Sequence, residues 1–342
     1  MRAVVYTGHG GPEVIAEQEV PAPAAGPGEV RVRVRAVALN HLDLWLRTGL
    51  PRLSVTFPHI PGADVAGVVE HLGPGVTQVR AGDDVIVAPG VSCGVCRFCT
   101  AGEDNLCRRY AILGEHRPGG YAEYVVVPEA NVLPKPRDLS FEEAAAVPLV
   151  FLTAWNMLIT NGRLGFGQDV LIWGAGSGVG SAGIQIAKVA GARVIAVAGA
   201  AWKLEKARGL GADDAINYHE QDVLAEVRRL TDRRGVNVVF DHVGAATWST
   251  SIKALARGGR LVLCGATSGA DAETDLRYLY GRRLSIHGTW MGTKRELYEV
   301  MQLIAAGRLK PVMHRVFPLA DAAEAQRMME RSEHFGKIVL TV

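Results

Sequence analysis

The run Asp169-Val170-Leu171-Ile172-Trp173 leads into Gly174-Ala175-Gly176-Ser177-Gly178-Val179-Gly180 and then into a helix-forming segment carrying Ile184, Ile186 and Val189. A strand that passes this quickly into a helix needs residues free to take unusual backbone angles, and glycine supplies them. The turn leaves unpaired N–H groups at the helix start with no bulky side chains above them, an arrangement that attracts a pyrophosphate. Outside a strand-turn-helix context the glycines would mark only a flexible turn; inside it they form a dinucleotide fingerprint. Gly174, Gly176, Ser177, Gly178, Val179 and Gly180 are therefore assigned to cofactor binding.

The flanking sequence keeps the same alternation. Strand-like runs at 170–173, 192–198, 215–217, 236–241, 260–263 and 284–290 are separated by helical segments at 178–190, 202–210, 222–230 and 247–256. Six such strands suit a complete doubly wound parallel sheet. The residues before it read as short strands between turn signals such as Gly73-Pro74-Gly75 and Pro118-Gly119-Gly120. One of them alternates Val30, Val32 and Val34 with Arg31, Arg33 and Arg35, a half-buried strand with a solvated arginine face. Residues 291–342 are too few to fold alone and are expected to return to the first module. The fold class is α/β, with a strand-rich domain at 1–148, a dinucleotide-binding domain at 149–290 and the returning tail at 291–342.

The chain has 342 residues, enough for about two domains. Lys+Arg 37 against Asp+Glu 35 leaves a net charge of +2, so no overall field draws it to nucleic acid or an anionic membrane. A small-molecule substrate is expected. The longest apolar stretches are broken by Gly or Pro and Met1–Tyr6 is too short for a signal core, so the expectation is a cytoplasmic protein with no membrane segment.

Four of the five cysteines, Cys93, Cys96, Cys99 and Cys107, lie in a C-x2-C-x2-C-x7-C pattern within a glycine-containing loop. Four thiolates close a tetrahedral zinc shell with no open position, which makes the expected metal one structural zinc per chain. Iron–sulfur ligation is the rival, but its bacterial pattern closes with a shorter gap and a proline. Cys264, in an apolar run, reads as a buried small hydrophobe.

The second strand of the dinucleotide domain ends Val197-Ala198-Gly199, with no carboxylate to bind the adenosine ribose hydroxyls and select NAD. Lys203 follows, where an ammonium can pair with a 2′-phosphate or simply be solvated. NADP(H) is favoured over NAD(H).

Taken in order, Pro61-Gly62-Ala63-Asp64-Val65-Ala66-Gly67-Val68-Val69, the cysteine lobe, Gly119-Gly120-Tyr121-Ala122-Glu123-Tyr124, Thr153-Ala154-Trp155, the glycine turn and Gly258-Gly259-Arg260 resemble the zinc-containing medium-chain dehydrogenase/reductase superfamily. The resemblance spans nearly the whole chain. It implies a GroES-like catalytic module, a Rossmann domain inserted before the tail, and an active site in the cleft between them. In the alcohol dehydrogenase branch two Cys and one His hold a catalytic zinc; the matching positions here are Asn40, Ala63 and Leu149. The hydroxyl and His that relay the alcohol proton match Leu42 and Trp45. Asn40-His41-Leu42-Asp43, Arg47, Gly49 and Ile216-Asn217-Tyr218 instead resemble the quinone oxidoreductase branch, in which the residues matching Lys203 and Tyr218 lie by the NADP phosphate. Two departures stand: that branch commonly lacks the cysteine lobe, and its usual substrate-side Tyr matches Trp45.

The expected reaction is hydride transfer from NAD(P)H to a quinone or an α,β-unsaturated carbonyl without catalytic zinc. Asn40 is expected to hold the ribose or a substrate oxygen, or merely to cap a turn; Thr153 to pack near the nicotinamide, or merely to open a helix. Asp43 and Trp45 complete the candidate catalytic set, with Trp45 as an apolar wall or simple packing. Gly244, Gly265, Ala266 and Thr267 are expected to form the cofactor floor, and His242 to face that cleft or sit satisfied in the core. The rival readings are a zinc-type alcohol or aldehyde dehydrogenase using ligands such as His41, His59, Asp43 or Asp64, and a non-catalytic NADP(H)-binding sensor. The apolar 284–290 strand at a sheet edge would be a pairing liability if left open, so a homodimer or higher homo-oligomer is expected.

Overall fold

The structure is a computed structural model that describes residues 1–49 and 54–342. It divides into two compact units, one of residues 1–149, 293–305 and 310–342, the other of residues 150–292 and 306–309.

The first unit is built on a seven-stranded sheet. Glu29–Ala38 lies in its middle because its valines all point one way: Val30 and Val32 are fully buried while Arg33 and Arg35 stay exposed. Asp64–Leu72 pairs with it on one side, and the last strand, Lys337–Thr341, pairs with it on the other. Both are antiparallel to it, as is Tyr124–Pro128, which pairs with residues 29–33. Ala38 therefore faces Asp64 across one ladder and Val339 across the other. Continued by one more bond, Leu39 N–H to the Ile338 carbonyl, that register sets Lys337 opposite Asn40. The chain then leaves the sheet directly into α1, His41–Thr48.

The apolar segment 141–161 follows: a short helix, Phe141–Ala145, a break at Ala146–Val147, α2, Pro148–Trp155, and a π-helical turn, Asn156–Asn161. Its 21 residues are long and apolar enough to cross a membrane by length and composition, but the helix is interrupted at Ala146–Val147 and restarts at Pro148, the kind of proline break the sequence reading expects. Inside the protein 72% of its apolar window is buried, the setting of a core helix.

The second unit is a six-stranded parallel sheet made of β1 (Asp169–Ile172), β2 (Arg193–Ala198), β3 (Asp214–Asn217), β4 (Val236–Asp241), β5 (Leu255–Leu263) and β6 (Ser285–Gly288). Its order is β3-β2-β1-β4-β5-β6, the doubly wound order, with the sequence reversal between β1 and β4. Val170, Leu171 and Ile172 are completely buried, as expected of a strand covered on both faces. The crossover helices include α3 (Gly178–Val189), α4 (Ala201–Gly209) and α5 (Ala245–Ala254). β5 begins five residues before the 260–263 run of the sequence reading, because four residues bulge out between the Leu255 and Arg260 pairings, with Gly258 at φ +73°. Cys264, just past β5, is half-buried rather than fully enclosed.

Candidate active and cofactor sites

In the first unit, α1 starts at Asn40, and the Asp43 carboxylate accepts the Asn40 backbone N–H at 2.8 Å, closing the helix start. The Asn40 side chain is buried and fully engaged. Its amide nitrogen donates to Asp64 Oδ2 at 2.9 Å and its Oδ1 accepts from Lys337 Nζ at 2.6 Å. Lys337 Nζ also donates to Asp64 Oδ2 at 2.9 Å and to the Leu39 carbonyl at 2.5 Å. The second Asp64 oxygen accepts the Leu149 N–H at 2.8 Å. The result is a buried ammonium with three acceptors, all supplied by the sheet register.

Asp43 continues the network. Tyr121 donates its hydroxyl to Asp43 Oδ2 at 3.3 Å, Tyr6 donates to the Asp43 carbonyl at 3.1 Å, and Gln326 donates to Tyr6 at 2.7 Å. Arg47, fully buried, donates to Gln326 at 2.9 Å and pairs with Glu330. Burial pushes the Asp43 carboxyl up to about 6 and the nearby Glu115 up to about 7, with the Asp43 charge adding to the second shift. Trp45 is half-buried and meets His41 edge-on, ring centroids 5.1 Å apart.

In the second unit, Gly174 sits at φ +56°, a conformation that favours glycine. A Cβ on Gly180 would lie 2.4 Å from the Gly174 carbonyl oxygen, so the turn closes only because that position is bare. Ser177 caps α3, its Oγ accepting the Gly180 N–H at 2.9 Å. Gly244 (φ +90°) opens α5 and leaves room for the loop after β5, where its Cβ would meet Ala266 at 2.8 Å. Thr267 donates its hydroxyl to the His242 carbonyl at 3.3 Å, tying Gly265, Ala266 and Thr267 to the end of β4. Thr153 in α2 is buried, and its hydroxyl has no hydrogen-bond partner among the described residues. At the ends of β2 and β3, Tyr218 and His219 close over Gly199: a Cβ there would lie 2.5 Å from the tyrosine hydroxyl and 2.9 Å from His219 Nε2. Lys203 lies over the Trp202 ring at 5.4 Å, and burial pulls its pKa down.

The sulfurs of Cys93, Cys96, Cys99 and Cys107 lie within 4.8 Å of one another, with Cys93–Cys99 at 3.8 Å and Cys96–Cys99 at 3.5 Å. Zn–S bonds of about 2.3 Å in a tetrahedron put sulfurs about 3.75 Å apart, so this donor set fits zinc.

Residues 26–137 match the alcohol dehydrogenase GroES-like domain, and residues 178–306 match the zinc-binding dehydrogenase domain. The chain is a zinc-type medium-chain dehydrogenase/reductase. This dehydrogenase is 34% identical over 349 residues to the NAD-dependent alcohol dehydrogenase of Saccharolobus solfataricus, covering 99% of each chain. It is 33% identical over 359 residues to the crotonyl-CoA reductase of Streptomyces collinus, covering 94% of this chain and 80% of that one. The crystal structure of an NAD-dependent alcohol dehydrogenase superposes with a TM-score of 0.97 at 52% identity, covering 100% of both chains. By family, the dehydrogenase is an NAD(P)-dependent oxidoreductase.

Against that family, the three positions matched to catalytic-zinc ligands do not fit a metal. The Asn40 amide is used at both ends, Ala63 offers a buried methyl group, and Leu149 contributes a backbone N–H to Asp64. A dication there would also face the Lys337 ammonium. The substitute ligands do not converge: His59 Nε2 is 3.0 Å from the Gly114 carbonyl, Asp64 is paired with Lys337, and among the described residues the cysteine lobe is the group of three or more such side chains brought together. The sequence reading missed Lys337, Tyr121 and Gln326. Its one available signal was a lysine heading the apolar run Ile338-Val339-Leu340.

Proposed function

We propose that this dehydrogenase transfers a hydride to an electron-poor double bond, in a quinone or an α,β-unsaturated carbonyl compound, without a catalytic zinc. The observation that carries this reading is the Lys337–Asn40–Asp64 cluster, an internal ammonium where the resemblance would place metal ligands. Reduction of a simple ketone concentrates charge on one oxygen and calls for a Lewis acid or a strong proton donor. A conjugated acceptor spreads that charge and needs less help. Likeness to a crotonyl-CoA reductase supports an unsaturated acyl acceptor.

When bound, the cofactor supplies the hydride at nicotinamide C4. The chain's own residues then bind and align. The Gly174–Gly180 turn receives the pyrophosphate at the start of α3, and Gly244 and Gly265–Thr267 form the floor. Thr153 brings a buried hydroxyl without a partner among the described residues, which leaves it available to the nicotinamide side of the cofactor. Asn40 and Asp43 hold the backbone where α1 begins, and Trp45 offers an apolar wall to the substrate. We assign NADP(H) over NAD(H) from Lys203, Tyr218 and the missing carboxylate at Gly199, one structural zinc to the cysteine lobe, a homodimer or higher homo-oligomer to the exposed edge at β6, and the cytoplasm as location.

Metal analysis combined with a cofactor-oxidation screen over quinones, enones, aldehydes and alcohols tests the reading. One zinc per chain with chelator-resistant quinone or enone reduction supports it. Two zincs with alcohol oxidation would install the rival zinc-type alcohol dehydrogenase, which the 52% identity to a solved alcohol dehydrogenase favours. Silence across the screen despite tight cofactor binding would leave a nucleotide sensor.

A further inference from the structure

His242, at the end of β4, lies across the glycine turn. Its ring atoms Cε1 and Nε2 stand 2.6 and 2.7 Å from where a Gly174 Cβ would be, so the ring has a seat only because residue 174 has no side chain. Its Nε2 is 3.1 Å from the Trp173 carbonyl oxygen and 3.2 Å from Ser177 Oγ. A carbonyl only accepts. A bare Nε2 would set lone pair against lone pair, so Nε2 carries the proton and donates toward both oxygens.

This settles the hydrogen bonding at Ser177. Its Oγ accepts the Gly180 N–H at 2.9 Å and the His242 N–H at 3.2 Å, which occupies both lone pairs. Its own O–H proton cannot go back to the imidazole and is left for an acceptor outside the turn, at the positive end of α3. We propose that His242 is a positioning residue for the cofactor, fixing Ser177 so that its hydroxyl proton is presented to a pyrophosphate oxygen. The proposal rests on the reading that this turn holds NAD(P)(H).

The test is a fluorescence titration of NADPH and NADH into the full-length protein and four variants: His242→Leu, His242→Gln, Ser177→Ala and the Leu/Ala double variant. His242→Leu and Ser177→Ala should each weaken binding about tenfold, the size expected for a hydrogen bond to a charged group. The double variant should be no weaker than Ser177→Ala alone, since His242 acts through Ser177. His242→Gln keeps an N–H at similar reach and should bind within about threefold of the wild type. If His242→Leu loses the fold, as read by thermal melting, His242→Asn replaces it, its amide being too short to reach Ser177, with the same tenfold loss expected. Additive losses in the double variant, or unchanged binding in the Leu or Asn variant, would overturn the proposal. A wild-type protein that binds neither dinucleotide would overturn the cofactor reading and this one with it.

Discussion

Lys337 and Asp64 lie 273 residues apart in sequence and 2.9 Å apart in space, with side chains 3% and 0% exposed. Removing one partner of so buried a pair leaves an uncompensated charge. Lys337→Met should therefore cost about 3–5 kcal/mol of stability, and replacing both residues by apolar ones of similar volume should recover only part of it, because the Asn40 side chain, the Leu39 carbonyl and the Leu149 N–H lose their partners. Urea unfolding of the single and double variants checks both statements.

Asp43 and Glu115 carry carboxyls raised by burial to about 6 and about 7. A carboxyl whose pKa is raised in the folded state adds stability that is fully present below its unfolded pKa and is lost as pH rises through the folded value. For Asp43 the loss runs from about pH 4 to 6, and for Glu115 from about pH 4.5 to 7. Asp43→Asn keeps an oxygen for the Asn40 N–H and stays neutral, so its melting temperature should vary less across pH 4 to 6 than that of the wild type. Melting curves at half-unit pH intervals provide the measurement, with Glu115→Gln flattening the higher window.

The closure of Tyr218 and His219 over Gly199 bears on cofactor choice. Placing an aspartate at 199 to attract the NAD ribose pushes a Cβ to 2.5 Å from the tyrosine hydroxyl. Gly199→Asp alone should weaken binding of both cofactors. Combined with Tyr218→Ala and His219→Ala, which together open the space, it should shift the NADH-to-NADPH affinity ratio toward NADH by about tenfold, on the scale of one charge-assisted contact. Equilibrium titration with each cofactor decides it.

In the cysteine lobe, Cys107→Ser should lower the bound zinc below one per chain and loosen residues 93–107, seen as faster amide exchange or protease cleavage there. The six-stranded sheet should keep its protection, because its core of Leu171, Ile195, Val239 and Leu261 does not involve the lobe.

At the open edge of the same sheet, Ile286 in β6 is 37% exposed. An edge strand of this kind invites pairing with a second copy. Light scattering should give at least a dimer mass, and Ile286→Lys should shift it toward the monomer. A wild-type monomer would remove the assignment.

Much of the fold can be read from local pattern. The alternating valines of 30–34 mark one face of a strand, the apolar 170–173 run marks a strand buried on both faces, and the glycines at 174–180 mark the turn between strand and helix. Each depends on residues within a few positions of one another, where period and backbone freedom act. Boundaries were less legible: Gly258-Gly259 signals a break in the strand, but that β5 begins before it, at Leu255, depends on the pairing of Leu255 with Val236 in β4.

What the sequence determined by itself is therefore the order of elements, the glycine turn and the spacing of four cysteines, because these follow from local sterics and ligand geometry. Tertiary structure alone decided which polar groups meet. Antiparallel register on both sides of Ala38 brings Lys337 and Asp64 to Asn40, and the end of β4 carries His242 over Gly174 to Ser177. A lysine heading a strand or a histidine ending one looks the same in sequence whether or not it has a partner; only the pairing of distant strands supplies it.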